Sequence, residues 1–171
     1  KQKVPFYNKI KVINLLKRED RRDKMVAQFE KEGLTLDNYE FIEAVNGQDL
    51  KESEELRILF ENNNFGYKKG VIGCALSHLK AINYVSKLKG DYFMICEDDV
   101  IFDNINVINE DLKNIIQNCP DFDILLLNKS YQKKLPSTYT NWNNYFKNNI
   151  ETKDEKIHVT SSTGLSSLLI N

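Results

Sequence analysis

The hydrophobic pattern changes period several times along this chain, and each change marks an element. Residues 9–15 (KIKVINL) alternate and are rich in Val and Ile, which predicts a first strand. Asp20 is placed to cap a helix over Arg21 to Glu32, with Met25, Val26 and Phe29 as its apolar stripe and Gly33 as the C′ residue. A second strand is expected over 39–45 (YEFIEAV), closed by the turn pair Asn46-Gly47. Gln48 to Glu61 is charged and weakly helical, and Asn62 to Gly70 reads as a loop. The clearest helix spans 71–89: Ile72, Ala75, Leu76, Leu79, Ile82, Val85 and Leu88 recur at three and four before Gly90.

Residues 91–96 (DYFMIC) form a short apolar run ending on Glu97-Asp98-Asp99, the profile of a strand covered on both faces. A helix over 106–118 and a strand from Phe122 to Leu127 follow. Asn128 to Lys156 is polar, with Tyr131, Tyr139, Trp142, Tyr145 and Phe146 scattered through it, and Leu165 to Asn171 returns to strand character. Alternating strands and helices predict an α/β three-layer sandwich with a mostly parallel central sheet.

Composition narrows the function classes. Among 171 residues, 24 basic groups nearly balance 25 acidic ones, so no overall field would draw nucleic acid or an anionic membrane. No apolar run approaches the ~18–20 residues of a membrane span. Three separated cysteines (Cys74, Cys96, Cys119) and two histidines (His78, His158) include no CxxC pair, which argues against a disulfide framework or a structural zinc knot. Reduced thiols and the lack of a signal-peptide pattern suggest a cytoplasmic setting. The length suits a single domain over residues 1–171; both ends look cut, so we expect it to be C-terminally incomplete or part of a longer protein.

Three segments carry candidate chemistry. Glu97-Asp98-Asp99 leaves the carboxyl end of an apolar strand, where open α/β sheets bind ligands. Residues two apart on an extended chain face the same way, so Glu97 and Asp99 are expected to converge on a cation such as Mg2+ or Mn2+, with Asp98 turned aside. The same acids would also serve as a solvated turn. The second segment, Asn14 to Arg22 (NLLKREDRR), runs from a strand into a helix N-terminus. It holds three of the chain's four arginines, Arg18, Arg21 and Arg22, with Lys17 beside them. That is an anion-binding composition, although an exposed first turn with ion pairs would read alike. The third, Gly70-Val-Ile-Gly-Cys-Ala-Leu-Ser-His78, opens the best helix; Gly73 and Ala75 permit close backbone approach by a ligand or a neighbouring element. Ser77 and His78 lack a third partner nearby for a nucleophilic triad, and Cys74 reads as a small core residue. Asn128-Lys-Ser130 fits a glycosylation sequon, an unspecific signal.

Taken together, Asn14-Leu15…Asp20-Arg21-Arg22, Ala44-Val45-Asn46-Gly47, Gly70 to His78 and Glu97-Asp98-Asp99-Val100 resemble glycosyltransferase family 25 in order and spacing. The family includes lipooligosaccharide galactosyltransferases and collagen hydroxylysine galactosyltransferases. The resemblance runs from about residue 9 to 102 and continues more weakly to Thr163–Asn171. It implies a GT-A-type, Rossmann-like fold, a UDP-hexose donor, Mn2+ or Mg2+, a glycan or protein acceptor, and inversion at the anomeric carbon. By position it implies Glu97 and Asp99 as metal ligands in a DxD-like element. It also implies Asn14, Leu15, Lys17, Arg18, Asp20, Arg21, Arg22, Gly73, Ser77, His78 and Asp98 around the donor. Lys17, Asn46 and Val71 stand where Arg, Asp and Glu are common. A catalytic base is not identified by the resemblance; Asp98 and Asp123 are weak candidates. A catalytically inactive nucleotide-sugar module and a metal-assisted nucleotidyltransferase are the competing readings.

Overall fold

The computed structural model describes residues 7–60, 68–118, 122–127 and 167–170. Strand β1 (Asn8–Asn14) is flanked by β2 (Tyr39–Glu43) and β3 (Phe93–Glu97), both parallel to it. Beyond β3 comes β5 (Ser167–Ile170), antiparallel, and then β4 (Ile124–Leu126), antiparallel to β5. The order is β2-β1-β3-β5-β4, and β5 alone runs against the others. The expected α/β class holds. The last strand is an antiparallel insertion between β3 and β4, which periodicity does not reveal because direction leaves no mark on a short apolar run.

Strand alternation divides the interior into two cores. Ile10 and Val12 of β1, with Met94 and Cys96 of β3, face helices α1 (Glu19–Lys31) and α4 (Ile105–Asn118) through Met25, Phe29, Ile105 and Leu112. The alternate residues Ile13, Phe93 and Ile95, joined by Ile42 of β2, face helix α3 (Lys69–Val85) through Ala81 and Val85. These are the three layers. Phe29 is fully buried against Tyr39 and Phe102, with ring centroids 4.4 and 5.7 Å away. Burial of a side chain of that size is worth about 1.5–3 kcal/mol. Lys11 shares the α3 face yet is buried. Its ammonium sits 2.6 Å from Glu40 Oε1 and over the Tyr84 and Phe93 rings, which satisfies the charge.

Helix α1 ends as its sequence predicts. Gly33 takes φ 75°, its N–H donates to the Glu30 carbonyl and that of Leu34 to Phe29, closing a Schellman turn with Leu34 and Phe29 both buried. Its start differs from expectation. Arg18 holds the N-cap position with no side-chain cap, and Asp20 lies inside the first turn. Because the helix starts at Glu19, Asp20 is past the cap position, and its carboxylate accepts a two-pronged hydrogen bond from Arg18 at 2.7 and 2.8 Å. Between β2 and α3 the chain makes a 3-10 turn (Gly47–Asp49) capped by Asn46 and a short helix α2 (Glu54–Leu59) capped by Ser53. The aromatic stretch 128–156, with its sequon, lies outside the described residues.

Candidate active site

The carboxyl ends of β1 and β3 lie side by side, with Ile13 in register with Glu97. The loop after β1 leads into α1, and the loop after β2 turns under the first turn of α3. Two glycines make that approach possible. A Cβ on Gly73 would lie 2.6 Å from the Gly47 nitrogen, and one on Gly47 would overlap the Lys69 carbonyl. Ser77, one turn on, donates to the Gly73 carbonyl at 2.7 Å and accepts from the Val45 N–H at 2.8 Å. Gly73 and Ser77 therefore fix the 45–47 loop against α3.

A cleft of about 320 Å³ opens above these strand ends, within the size range of small-molecule sites. Lys17, Arg18, Arg21, Glu97, Asp98 and His78 line it, with Arg21 paired to Asp98 at 2.9 Å; Asp99 is not part of the lining. Leu15 and Ser77 complete the predicted residues that reach it, and residues 44–48, Gly70 and Cys74 close the wall. The contribution of Ala44 to Gln48 was legible as a motif but not as a wall, because only the Gly47–Gly73 contact brings it there. A larger groove of about 480 Å³ runs between α2 and the start of α3, through Leu56, Phe60 and Ile72. Among the described residues it gathers no comparable set of converging acids, arginines and histidine.

The acidic triplet divides across the sheet. Glu97 ends β3 on the same face as Phe93 and Ile95 and so points to α3, where its Oε1 lies 3.0 Å from His78 Nε2 and 3.4 Å from Cys74 Sγ. Asp98 takes the opposite face. It is 9% exposed, accepts from Asn14 Nδ2 at 2.7 Å and pairs with Arg21 at 2.9 Å. The strand stops at Glu97 and the chain turns, so Asp99 swings to the Arg21 side at 3.2 Å instead of joining Glu97. The period-two argument for a Glu97–Asp99 pair assumed a strand that this turn interrupts.

Asn14 and Arg22 stand behind the cleft. The Asn14 amide donates to Asp98 and to the Arg18 carbonyl and accepts from Arg22, whose guanidinium stacks 4.9 Å over Phe41. The Arg18 side-chain hydrogen bond holds the Asp20 carboxyl well below the usual range, at about 2. Lys17 Nζ meets Asn46 Oδ1 at 3.4 Å, so two of the three positions that depart from the family pattern touch. Asp123 is exposed beside the start of β4, level with Phe93 at the amino end of β3, and does not join the cleft. Burial first, and then the Glu97 carboxylate, push the Cys74 thiol up to about 12, although part of its surface is open to the cleft.

The site fits a divalent cation in its donor chemistry. Cys74, His78 and Glu97 offer ligand atoms within 4.8 Å of one another, while the Asp99 carboxylate stays with Arg21 at 3.2 Å.

The family model for glycosyltransferase family 25 (LPS biosynthesis protein) matches residues 7–169. A putative glycosyltransferase R655 of Acanthamoeba polyphaga mimivirus is 38% identical over 96 residues, covering 55% of this chain and 29% of that protein. Human procollagen galactosyltransferase 2 is 31% identical over 107 residues, covering 57% of this chain and 16% of that protein. The chain thus spans less than a third of the length of either relative. Among the described residues no helix is long and apolar enough to cross a membrane.

Proposed function

From the premise that this chain belongs to glycosyltransferase family 25, we propose that it transfers a hexose, galactose or glucose, from a UDP-sugar to a hydroxyl of a glycan or protein acceptor. The observation that carries this reading is the cleft itself. It gathers Lys17, Arg18 and Arg21 with an acidic strand end at the carboxyl edge of the sheet. Such an edge, with basic groups from a strand-to-helix loop, suits a nucleoside diphosphate.

Glu97, joined by Asp99 once that carboxylate leaves Arg21, would hold a divalent cation, Mn2+ or Mg2+, beside the diphosphate. When bound, that ion supplies Lewis-acid stabilisation of the leaving phosphate. Lys17, Arg18 and Arg21 meet the charge that grows on the leaving oxygen, and the fixed side chains need little reorganisation to do so. Arg21 is held in place by Asp98, and Asp98 by the buried Asn14 amide. Both Asp98 oxygens are thereby occupied, which makes Asp98 a positioning residue for Arg21 in this reading. Displacement is in line, with inversion, and a base near the acceptor hydroxyl completes it.

Calorimetric titration with UDP, UDP-galactose and UDP-glucose, each with Mn2+ and with EDTA, tests the reading. UDP binding that requires the metal, and that falls at least about tenfold (about 1.4 kcal/mol) in Asp99→Ala, is the expected result. Binding of a nucleoside triphosphate with indifference to UDP-sugars would turn the assignment towards nucleotidyl transfer. Absence of nucleotide binding would remove the donor site from this chain.

A further inference from the structure

Glu97 turns away from the other two acids and towards α3. Cys74 and His78 stand four residues apart on that helix, one turn above the other, so both side chains reach the same side. Glu97 Oε1 lies 3.4 Å from Cys74 Sγ and 3.0 Å from His78 Nε2, and the three ligand atoms fall within 4.8 Å of each other. Tetrahedral bonds of about 2.0–2.3 Å set neighbouring ligand atoms about 3.3–3.8 Å apart. The cluster therefore needs only small side-chain adjustments to surround one ion. His78 is buried at 7% exposure, and its Nδ1 has no hydrogen-bond partner among the described residues, so among them packing rather than a second hydrogen bond fixes its ring. All three residues line the cleft, which leaves a fourth position open to solvent or ligand.

From this geometry we propose that Cys74, His78 and Glu97 form a binding site for a thiophilic divalent cation of the zinc class. Two anionic ligands and a neutral imidazole balance a 2+ charge. A thiolate and an imidazole favour Zn2+ or Co2+ over Mg2+ or Mn2+, which prefer oxygen. The thiol proton passes to solvent as the sulfur–metal bond forms. Three protein ligands with an open fourth position is the arrangement of reactive rather than structural zinc. Glu97 is shared with the acidic pair assigned above to the donor's cation, and on that reading the two ions compete for it. The site itself does not depend on the donor reading.

Titration of the metal-free chain with Co2+, in the absence of any nucleotide, separates the two. The expected result is one equivalent of Co2+ giving a sulfur-to-metal charge-transfer band. That band is lost in Cys74→Ser and weakened at least tenfold in apparent affinity in Glu97→Gln, with Zn2+ displacing Co2+ in the wild-type chain. No such band, or one unchanged in Cys74→Ser, overturns the proposal. If Cys74→Ser does not fold, alkylation of the wild-type chain followed by peptide mapping decides instead. Stoichiometric Zn2+ is expected to protect Cys74, and equal labelling with and without Zn2+ overturns the site. Failure of UDP to bind leaves this result standing, and failure of Co2+ to bind leaves the donor reading standing.

Discussion

Residue identity matters most where one side chain has a single geometry that satisfies it. Asp98 is nearly buried between Asn14 and Arg21, and each of its two oxygens accepts from one of them. Removing one partner of such a pair leaves a charge poorly solvated. Arg21→Ala is therefore expected to cost about 1–3 kcal/mol, below the range of a fully buried pair because the arginine itself is partly exposed. Urea denaturation would measure it; a loss under about 0.5 kcal/mol would show that Asn14 alone satisfies Asp98. Cys74 gives a second test. Its thiol is raised to about 12 by burial first and by Glu97 next, so it stays protonated through neutral pH and its alkylation accelerates only well above the usual thiol range. Replacing Glu97 by Gln removes a negative neighbour, which eases deprotonation and moves the midpoint of the alkylation profile downward. A midpoint near about 8.5 in the wild-type chain, that of an unperturbed thiol, would contradict the desolvated setting.

At the scale of elements, the site depends on how closely two backbones can pass. The 45–47 loop lies against the first turns of α3 because neither Gly47 nor Gly73 carries a Cβ, and Ser77 ties the two together. Gly70, on the same helix, faces open space. The three glycines therefore separate cleanly. Gly47→Ala and Gly73→Ala are each expected to destabilise by about 1–3 kcal/mol through overlap with backbone atoms that cannot move aside. Gly70→Ala should be neutral or stabilising by up to about 1 kcal/mol, since Ala suits a helix better. Thermal unfolding of the three variants checks this, and equal effects would mean the close approach is not what the glycines are for. The sequence marked Gly73 as a point of close approach without saying what approaches. The answer, a neighbouring loop, comes from residues some 26 positions earlier.

Whole-molecule topology decides which candidates can act together. The carboxyl ends of β1 and β3 converge on the cleft, while the start of β4 is level with the start of β3. Asp123 is therefore at the far end of the sheet from Glu97, and Asp123→Asn is expected to leave metal-dependent UDP binding unchanged while Asp99→Ala weakens it. Parallel calorimetry of the two variants would show it; a comparable loss in Asp123→Asn would require the acidic site to extend across the sheet.

The sequence by itself determined the described strands and helices to within a few residues, because apolar positions repeat with a fixed period; in α3 the buried face differs from the apolar stripe, with Leu79 exposed and Ser77, His78 and Ala81 buried. It determined the turn chemistry at Gly33, where only a residue at ease with positive φ completes the Schellman turn. It also brought the Asn14–Arg22, Gly70–His78 and Glu97–Asp99 segments forward, since their chemistry is carried by residue type and spacing. Tertiary structure decided the rest. Whether Asp20 caps or pairs depended on the helix starting one residue before it. Which acid faces which wall depended on β3 ending at Glu97 and the chain turning there. The meeting of Cys74 and His78 with Glu97 depended on α3 packing over the sheet on Glu97's face. Local periodicity states which way a side chain leaves its own element; what it meets is fixed by elements distant in sequence, and the chemistry of this cleft lies in those meetings.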